Sequence, residues 1–280
     1  MIGSLLALFE AMFDETASSL GKKSIAKKEE SPYAFLFITH LIAVFVFLVV
    51  GLSADLPYHF NFAAIPTFTS RLIFEMILGY VMLKSLTLFD RSFFSLSRMM
   101  TVPLVLLLDM SFGTQVPFFQ ILIIVLMFFT FLLLCLHEKV SFKRLRLALP
   151  LAVIPAITIL LFKYDISHYN SAYSEQLTVL VFMMFWSFCM DIVLTKENPF
   201  RLLSHPIILA QATCSGVASL AGAYAYNYGS ASVVTALRRS FSLLASFLSD
   251  IFFFKRKERK DTIVTIIVLL VLLALLTIFL

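Results

Sequence analysis

Apolar runs of about twenty residues, set off by short polar or charged breaks, recur from one end of this chain to the other. A helix rises about 1.5 Å per residue and the hydrocarbon core of a bilayer is about 30 Å thick, so a run of about 20 apolar residues is the length that crosses it. No soluble core could hide so many runs: 60% of the 280 residues are apolar and 14% are charged, with a mean hydropathy of +0.96, far above that of a water-soluble domain. The runs are continuous rather than alternating residue by residue, which excludes the short strands of an outer-membrane barrel. The fold class is therefore an all-α integral membrane protein.

The runs place about ten transmembrane helices at 3–21, 33–52, 66–86, 93–112, 117–136, 145–163, 174–194, 203–226, 231–254 and 262–280. Ten helices consume about 200 residues, and the ~80 left over form short connectors with no room for a soluble catalytic domain. Any function must be built inside the bundle. The first run is interrupted by Glu10, Asp14 and Glu15, which keeps an amphipathic surface helix open as its alternative. No basic n-region precedes that run and acidic residues stand where a small-residue cleavage site would lie, so no cleavable signal peptide is expected. Cys135, Cys189 and Cys214 sit singly in apolar spans, His40, His59, His137, His168 and His205 are scattered, and no metal, nucleotide or nucleophile-elbow motif occurs. No disulfide, metal, cofactor or catalytic group is expected.

Lys and Arg are concentrated in alternate connectors. The odd connectors carry Lys22, Lys23, Lys27 and Lys28, then Lys84 and Arg91, then Lys139, Lys143, Arg144 and Arg146, then Lys196 and Arg201, then the run from Lys255 to Lys260; the even connectors carry Lys163 alone. The positive-inside rule puts the odd connectors in the cytoplasm and, with ten spans, both termini outside. The expected location is a bacterial or archaeal plasma membrane.

A shift of 141 positions lays Lys22 on Lys163, Arg98 on Arg239 and Asp109 on Asp250. The chain thus reads as two repeats, 1–140 and 141–280, within one membrane-embedded domain. Five helices per repeat is an odd number, so the second copy enters the membrane in the opposite sense, which makes the repeat inverted. The stretch from Tyr228-Gly229-Ser230 through Leu237-Arg238-Arg239-Ser240 to Phe254-Lys255-Arg256-Lys257-Glu258, and Phe89-Asp90-Arg91-Ser92 into Val102-Pro103, are similar to the ninth and fourth helices of the drug/metabolite transporter superfamily. Over its whole length the chain resembles the ten-helix EamA-like members. The resemblance implies a secondary transporter built of inverted repeats. This chain lacks the family's acidic residue after the fourth helix, having the uncharged turn Gly113-Thr114-Gln115, and its charge pattern opposes the family's cytoplasmic termini.

An ionisable group at the centre of a spanning helix costs about 2.5 to 3.5 kcal/mol on translocon scales, so each one needs a partner or a task. Gly3, Ala7, Glu10, Asp14 and Ser18 recur at spacings of three and four and make one small, polar stripe that should face the interior. Its carboxylates either bind a proton or cation, as the resemblance to the small multidrug members implies, or pair with interior arginines. Arg98 and Arg239 lie deep in their spans and either grip an anionic group of a substrate or form structural ion pairs; resemblance to the sugar-phosphate and nucleotide-sugar branches points to the first for Arg238 and Arg239. Arg71 and Glu75, four residues apart, are expected to neutralise each other. Tyr224, Tyr226 and Asn227 end the eighth span as candidate cavity lining, and Trp186 is expected at the aromatic belt.

The expected activity is alternating-access transport of a small zwitterionic or anionic metabolite through a cavity between the repeats, with a coupled proton or cation. The expected partners are that small molecule and the bilayer, with no nucleic acid. A lipid-handling protein or membrane-embedded enzyme acting on a lipid headgroup would use the same charges and is the alternative. The charge pattern predicts that a reporter fused after Leu280 reads as extracytoplasmic while a cysteine probe at Lys257 is shielded from outside; a cytoplasmic carboxyl terminus would reject that orientation.

Overall fold

The computed structural model describes residues 2–25, 31–89, 91–111, 118–137, 142–195, 198–252 and 260–279. They form eleven α-helices with no strand among the described residues: α1 (Ile2–Ile25), α2 (Pro32–Ser53), α3 (Ile65–Leu88), α4 (Arg91–Met99), α5 (Thr101–Ser111), α6 (Phe118–His137), α7 (Phe142–His168), α8 (Ala172–Thr195), α9 (Pro206–Tyr228), α10 (Ala231–Phe252) and α11 (Lys260–Phe279). Seven segments among the described residues are long and apolar enough to cross a membrane: α2, the stretch 62–85 that holds most of α3, the α4–α5 pair over 93–110, α7, α8, α9 and most of α10. This is an all-α, multi-pass membrane protein. The basic run 255–260 lies outside the described residues except for Lys260.

Several helix ends are written in the sequence. Ser31 caps α2, its hydroxyl accepting from the amides of Tyr33 at 3.2 Å and Ala34 at 3.5 Å, with Pro32 following at a position whose missing N–H costs the helix nothing. The expected single helix over 93–112 is instead two, α4 and α5, broken at Met100. Pro103 is the cause: it has no N–H to return to the carbonyl of Met99, and its ring crowds that carbonyl. The position 141 residues on is Leu244, and α10 runs through it unbroken.

α1 is no surface helix. It lies antiparallel along α9: a Cβ on Gly3 would meet the Tyr228 backbone at 3.1 Å, and one on Gly21 would meet the Gln211 side chain at 3.7 Å. Ala7 and Ala11 are fully buried on this face while Leu5, Phe9 and Met12 are exposed on the other, the orientation its small-residue stripe predicts.

Several helix contacts come in matching pairs, though α2 packs broadly on α9 where α3 meets α8 only narrowly. α1 packs on α9 and α10, and α7 packs on α3 and on α4 and α5; α2 packs on α8, and α6 on α11. Lys22 and Lys163 take equivalent places in this pattern. Lys22 donates from Nζ to the Phe89 carbonyl at 2.8 Å, at the end of α3, and Lys163 donates to the Tyr226 and Gly229 carbonyls at 2.7 and 3.1 Å, at the end of α9. Each satisfies carbonyls that a helix C-terminus leaves without a partner.

α2 and α9 lie close together at Gly216, where an added Cβ would lie 2.9 Å from the Ala43 Cα. Backbone cannot give way as a side chain can. Gly216→Val is expected to push the two helices apart and lower stability by about 1 to 3 kcal/mol, read as a drop in melting temperature of the detergent-purified protein. An unchanged melting temperature would show that this contact is not maintained.

Candidate functional site

The polar face of α1, the break between α4 and α5, and the middles of α3, α7, α9 and α10 enclose a central cavity of about 250 Å³. Seven ionisable side chains line it: Glu10, Asp14, Glu75, Arg71, Arg98, Arg238 and Arg239. Such a density of charge in an apolar bundle is tolerable only if most of it is paired, because the local dielectric makes both the attraction and the desolvation penalty large.

α1 carries the anions that pair it. Arg98, in the last turn of α4, donates from Nη2 to Asp14 Oδ2 at 2.9 Å, and it ends α4, where the helix dipole favours a cation. Arg238 on α10 reaches Glu10 Oε1 at 2.7 Å and lies 3.6 Å from Asp14 Oδ2. Asp14 therefore sits between arginines from both halves of the chain. Gly222 on α9 makes room for this arrangement, since a Cβ there would fall 2.5 Å from the Glu10 carboxyl carbon. Glu15, one residue on from Asp14, accepts from Ser242 of α10 at 3.0 Å.

Arg71 forms no ion pair with Glu75 among the described residues and acts on it only through space. Its guanidinium turns away from its own helix to α8, donating to Glu175 Oε1 at 2.9 Å and Gln176 Oε1 at 2.5 Å, and lies 4.4 Å from the Phe162 ring centroid. A fully buried carboxylate such as Glu175 holds an arginine more strongly than a surface-type pair on a helix does. Asn170 completes that carboxylate by donating to Oε2 at 2.6 Å. Glu75 is left facing the cavity, within hydrogen-bonding reach of Thr158.

Arg239 stands apart from the other cations. It is 3% exposed, it forms no ion pair among the described residues, and its Nε and Nη1 have no hydrogen-bond partner there. Arg98 and Arg238 lie within electrostatic reach and repel it, while Asp14 and Glu10 attract it from beyond ion-pairing distance. Although the 141-residue shift matches Arg98 to Arg239, it is Arg238 that takes the carboxylate-pairing role in the second half. Glu10 Oε2 is likewise without a partner.

Of the sequence candidates, Glu10, Asp14, Arg98, Arg238 and Arg239 all converge on the cavity. Tyr224 and Asn227 do not line it. Tyr224 packs against the Phe47 and Tyr173 cluster between α2 and α8, and Asn227 is exposed at the end of α9. Tyr226 faces the cavity instead, its hydroxyl 3.1 Å from Thr235, because the helical turn rotates its two neighbours to other faces. Trp186 packs edge-on against Tyr33 at 5.8 Å and lies against the α2, α8 and α9 contact. Glu75, Gln176, Thr158, Ser215 and Ser219 add to the polar lining. Glu75 was visible as a charge in an apolar run, but its freedom depends on where Arg71 points.

The two arginine classes differ in expected stability. Arg98→Ala strips Asp14 of its closer partner and is expected to cost about 3 to 5 kcal/mol. Arg239→Met removes a buried charge that has no ion pair, and is expected to leave stability unchanged or raise it. Melting temperatures of the two variants check this; an Arg239→Met protein as unstable as Arg98→Ala would mean that Arg239 supports the fold.

No protein-family model matches the chain, and no curated protein matches it. It is similar to a solved structure described as "Crystal structure of protein", with a TM-score of 0.71 and 13% sequence identity over 98% of this chain and 96% of the other. At that identity the likeness shows a shared fold spanning the whole chain and nothing of its activity.

Proposed function

We propose that this protein is a secondary transporter that moves a small zwitterionic or anionic metabolite by alternating access through the central cavity. The observation that carries the reading is Arg239, a buried guanidinium in the cavity that forms no ion pair among the described residues and is attracted by Asp14 and Glu10 only from beyond ion-pairing distance. A carboxylate or phosphate of a substrate is the chemistry a planar guanidinium matches. Glu75, released from Arg71, offers an anion on the same cavity wall system, so a substrate carrying both charges meets a partner for each. Glu10, Asp14 and Glu75 are the carboxylates available to a coupled proton or cation.

The proposed architecture is ten spans: the seven apolar segments together with α1, α6 and α11, with α4 and α5 counted as one. Five spans per half gives two inverted repeats, 1–140 and 141–280. The matching pairs of helix contacts and the equivalent lysine caps on α3 and α9 support it. A broken helix whose end places a charged group at mid-depth is a recurrent way of building a transporter site, and the α4–α5 break is consistent with that. The reading places the protein among transporters similar to the drug/metabolite superfamily, in a bacterial or archaeal plasma membrane.

Purified protein in liposomes is expected to take up labelled amino acids or small carboxylated or phosphorylated metabolites, and Arg239→Lys, which keeps the charge but loses the fork, to weaken substrate binding by about 1 to 3 kcal/mol at unchanged melting temperature. Uptake that is indifferent to both Arg239→Lys and Glu75→Gln would sink the proposal. Lipid scrambling by the same liposomes without solute uptake would favour a lipid-handling role instead.

A further inference from the structure

A second cavity, of about 180 Å³, adjoins the central one. Asp14, Glu75, Leu78, Met82 and Ser215 line both. Beyond that shared wall the character of the lining changes: the arginines stop, and Phe35, Leu36, Leu83 and Met183 take over. The polar groups there are largely self-satisfied, as Thr39 donates to Gln211 Oε1 at 3.1 Å. His40 is the exception, with Nδ1 lacking a partner among the described residues. Gly79 lines the compartment on the α3 side, and the nearest atoms a Cβ there would meet are Leu36 Cδ1 and Met183 Cε, both at 3.6 Å, and Trp186 at 3.9 Å.

We propose that this second compartment is a subsite for an apolar arm of the substrate, so that the transported class is zwitterions bearing an aliphatic or aromatic side chain, such as the larger apolar amino acids. The proposal rests on the transport reading above. The charged head sits against Arg239 and Glu75, and Glu75, lining both cavities, marks where head gives way to arm. Burying the arm among Phe35, Leu36, Leu83 and Met183 removes apolar surface from water, with the compartment's carboxylates, Asp14 and Glu75, confined to the wall it shares with the central cavity. A substrate lacking the arm would leave the compartment unfilled and bind more weakly.

The test is equilibrium binding of labelled glycine, L-alanine, L-valine, L-leucine and L-phenylalanine to the full-length purified protein. Affinity is expected to rise about fourfold per added methylene through the aliphatic members. Gly79→Leu, which fills the compartment, is expected to erase the gain for leucine and phenylalanine while leaving alanine unchanged. Gly79→Ala, whose Cβ makes only ordinary contacts, should give a partial loss if the larger variant fails to fold. Equal affinity across the series, or a gain that survives in a folded Gly79 variant, would overturn the subsite while leaving the head-binding site standing. Equal weakening of every member by Gly79→Leu would make the compartment a passage and also overturn it. Failure of the whole series to bind wild-type protein would overturn the zwitterion reading and the subsite with it.

Discussion

The cost of holding charge in an apolar bundle governs this structure. α1 carries Glu10, Asp14 and Glu15 and is not among the apolar spans, yet it packs along α9 and against α10, where its acidic residues find Arg238 and Ser242. Asp14 takes Arg98 from the first half of the chain and stands near Arg238 from the second. These pairs offset, rather than exceed, the desolvation of their members. Their consequence is specificity of assembly, since a slip of α1 by one turn along α9 would strand several buried charges at once. Gly222 belongs to the same constraint, because only a residue without a Cβ lets the Glu10 carboxyl lie against α9.

A second theme is the use of chain breaks and caps to set helix ends inside the protein. Pro103 divides what would be one span, and the break leaves Arg98 in the terminal turn of α4, beside the cavity rather than among lipid tails. Lys22 and Lys163 do the complementary work at the ends of α3 and α9. Their long apolar stems lie along the bundle while the ammonium groups reach carbonyls that no helix can satisfy internally. The two lysines are related by the 141-residue shift, whereas the proline that separates α4 from α5 is not matched by it.

Ion pairing gives the cavity its chemical asymmetry. Two arginines, Arg98 and Arg238, are engaged by α1, and Arg71 is drawn away to Glu175. Arg239 and Glu75 remain as the cation and the anion that form no ion pair among the described residues. A cavity of that kind would discriminate by charge pairing under the proposed function, and the adjoining compartment by size. The proposed transport function is an inference from this division of labour among the charges.

The sequence by itself determined the membrane class, the helical segments to within a few residues, the inward face of α1, and five of the side chains that meet in the cavity. Those features are legible because they rest on one-dimensional quantities: the length of an apolar run, a spacing of three and four, a charge where charge is costly. Only the tertiary structure decided which charges pair. Arg71 and Glu75 are ideally spaced neighbours on α3, yet Glu175, more than a hundred residues away in the chain, takes the arginine. The difference between Tyr226 at the site and Tyr224 and Asn227 away from it is a matter of helix rotation. The adjoining compartment needed α1, α2, α3, α8 and α9 in place before it existed at all. The physical reason is common to all three: a buried ion pair or cavity is set by distances across the bundle, and a guanidinium on a long stem reaches whichever carboxylate the packing leaves closest and least hydrated.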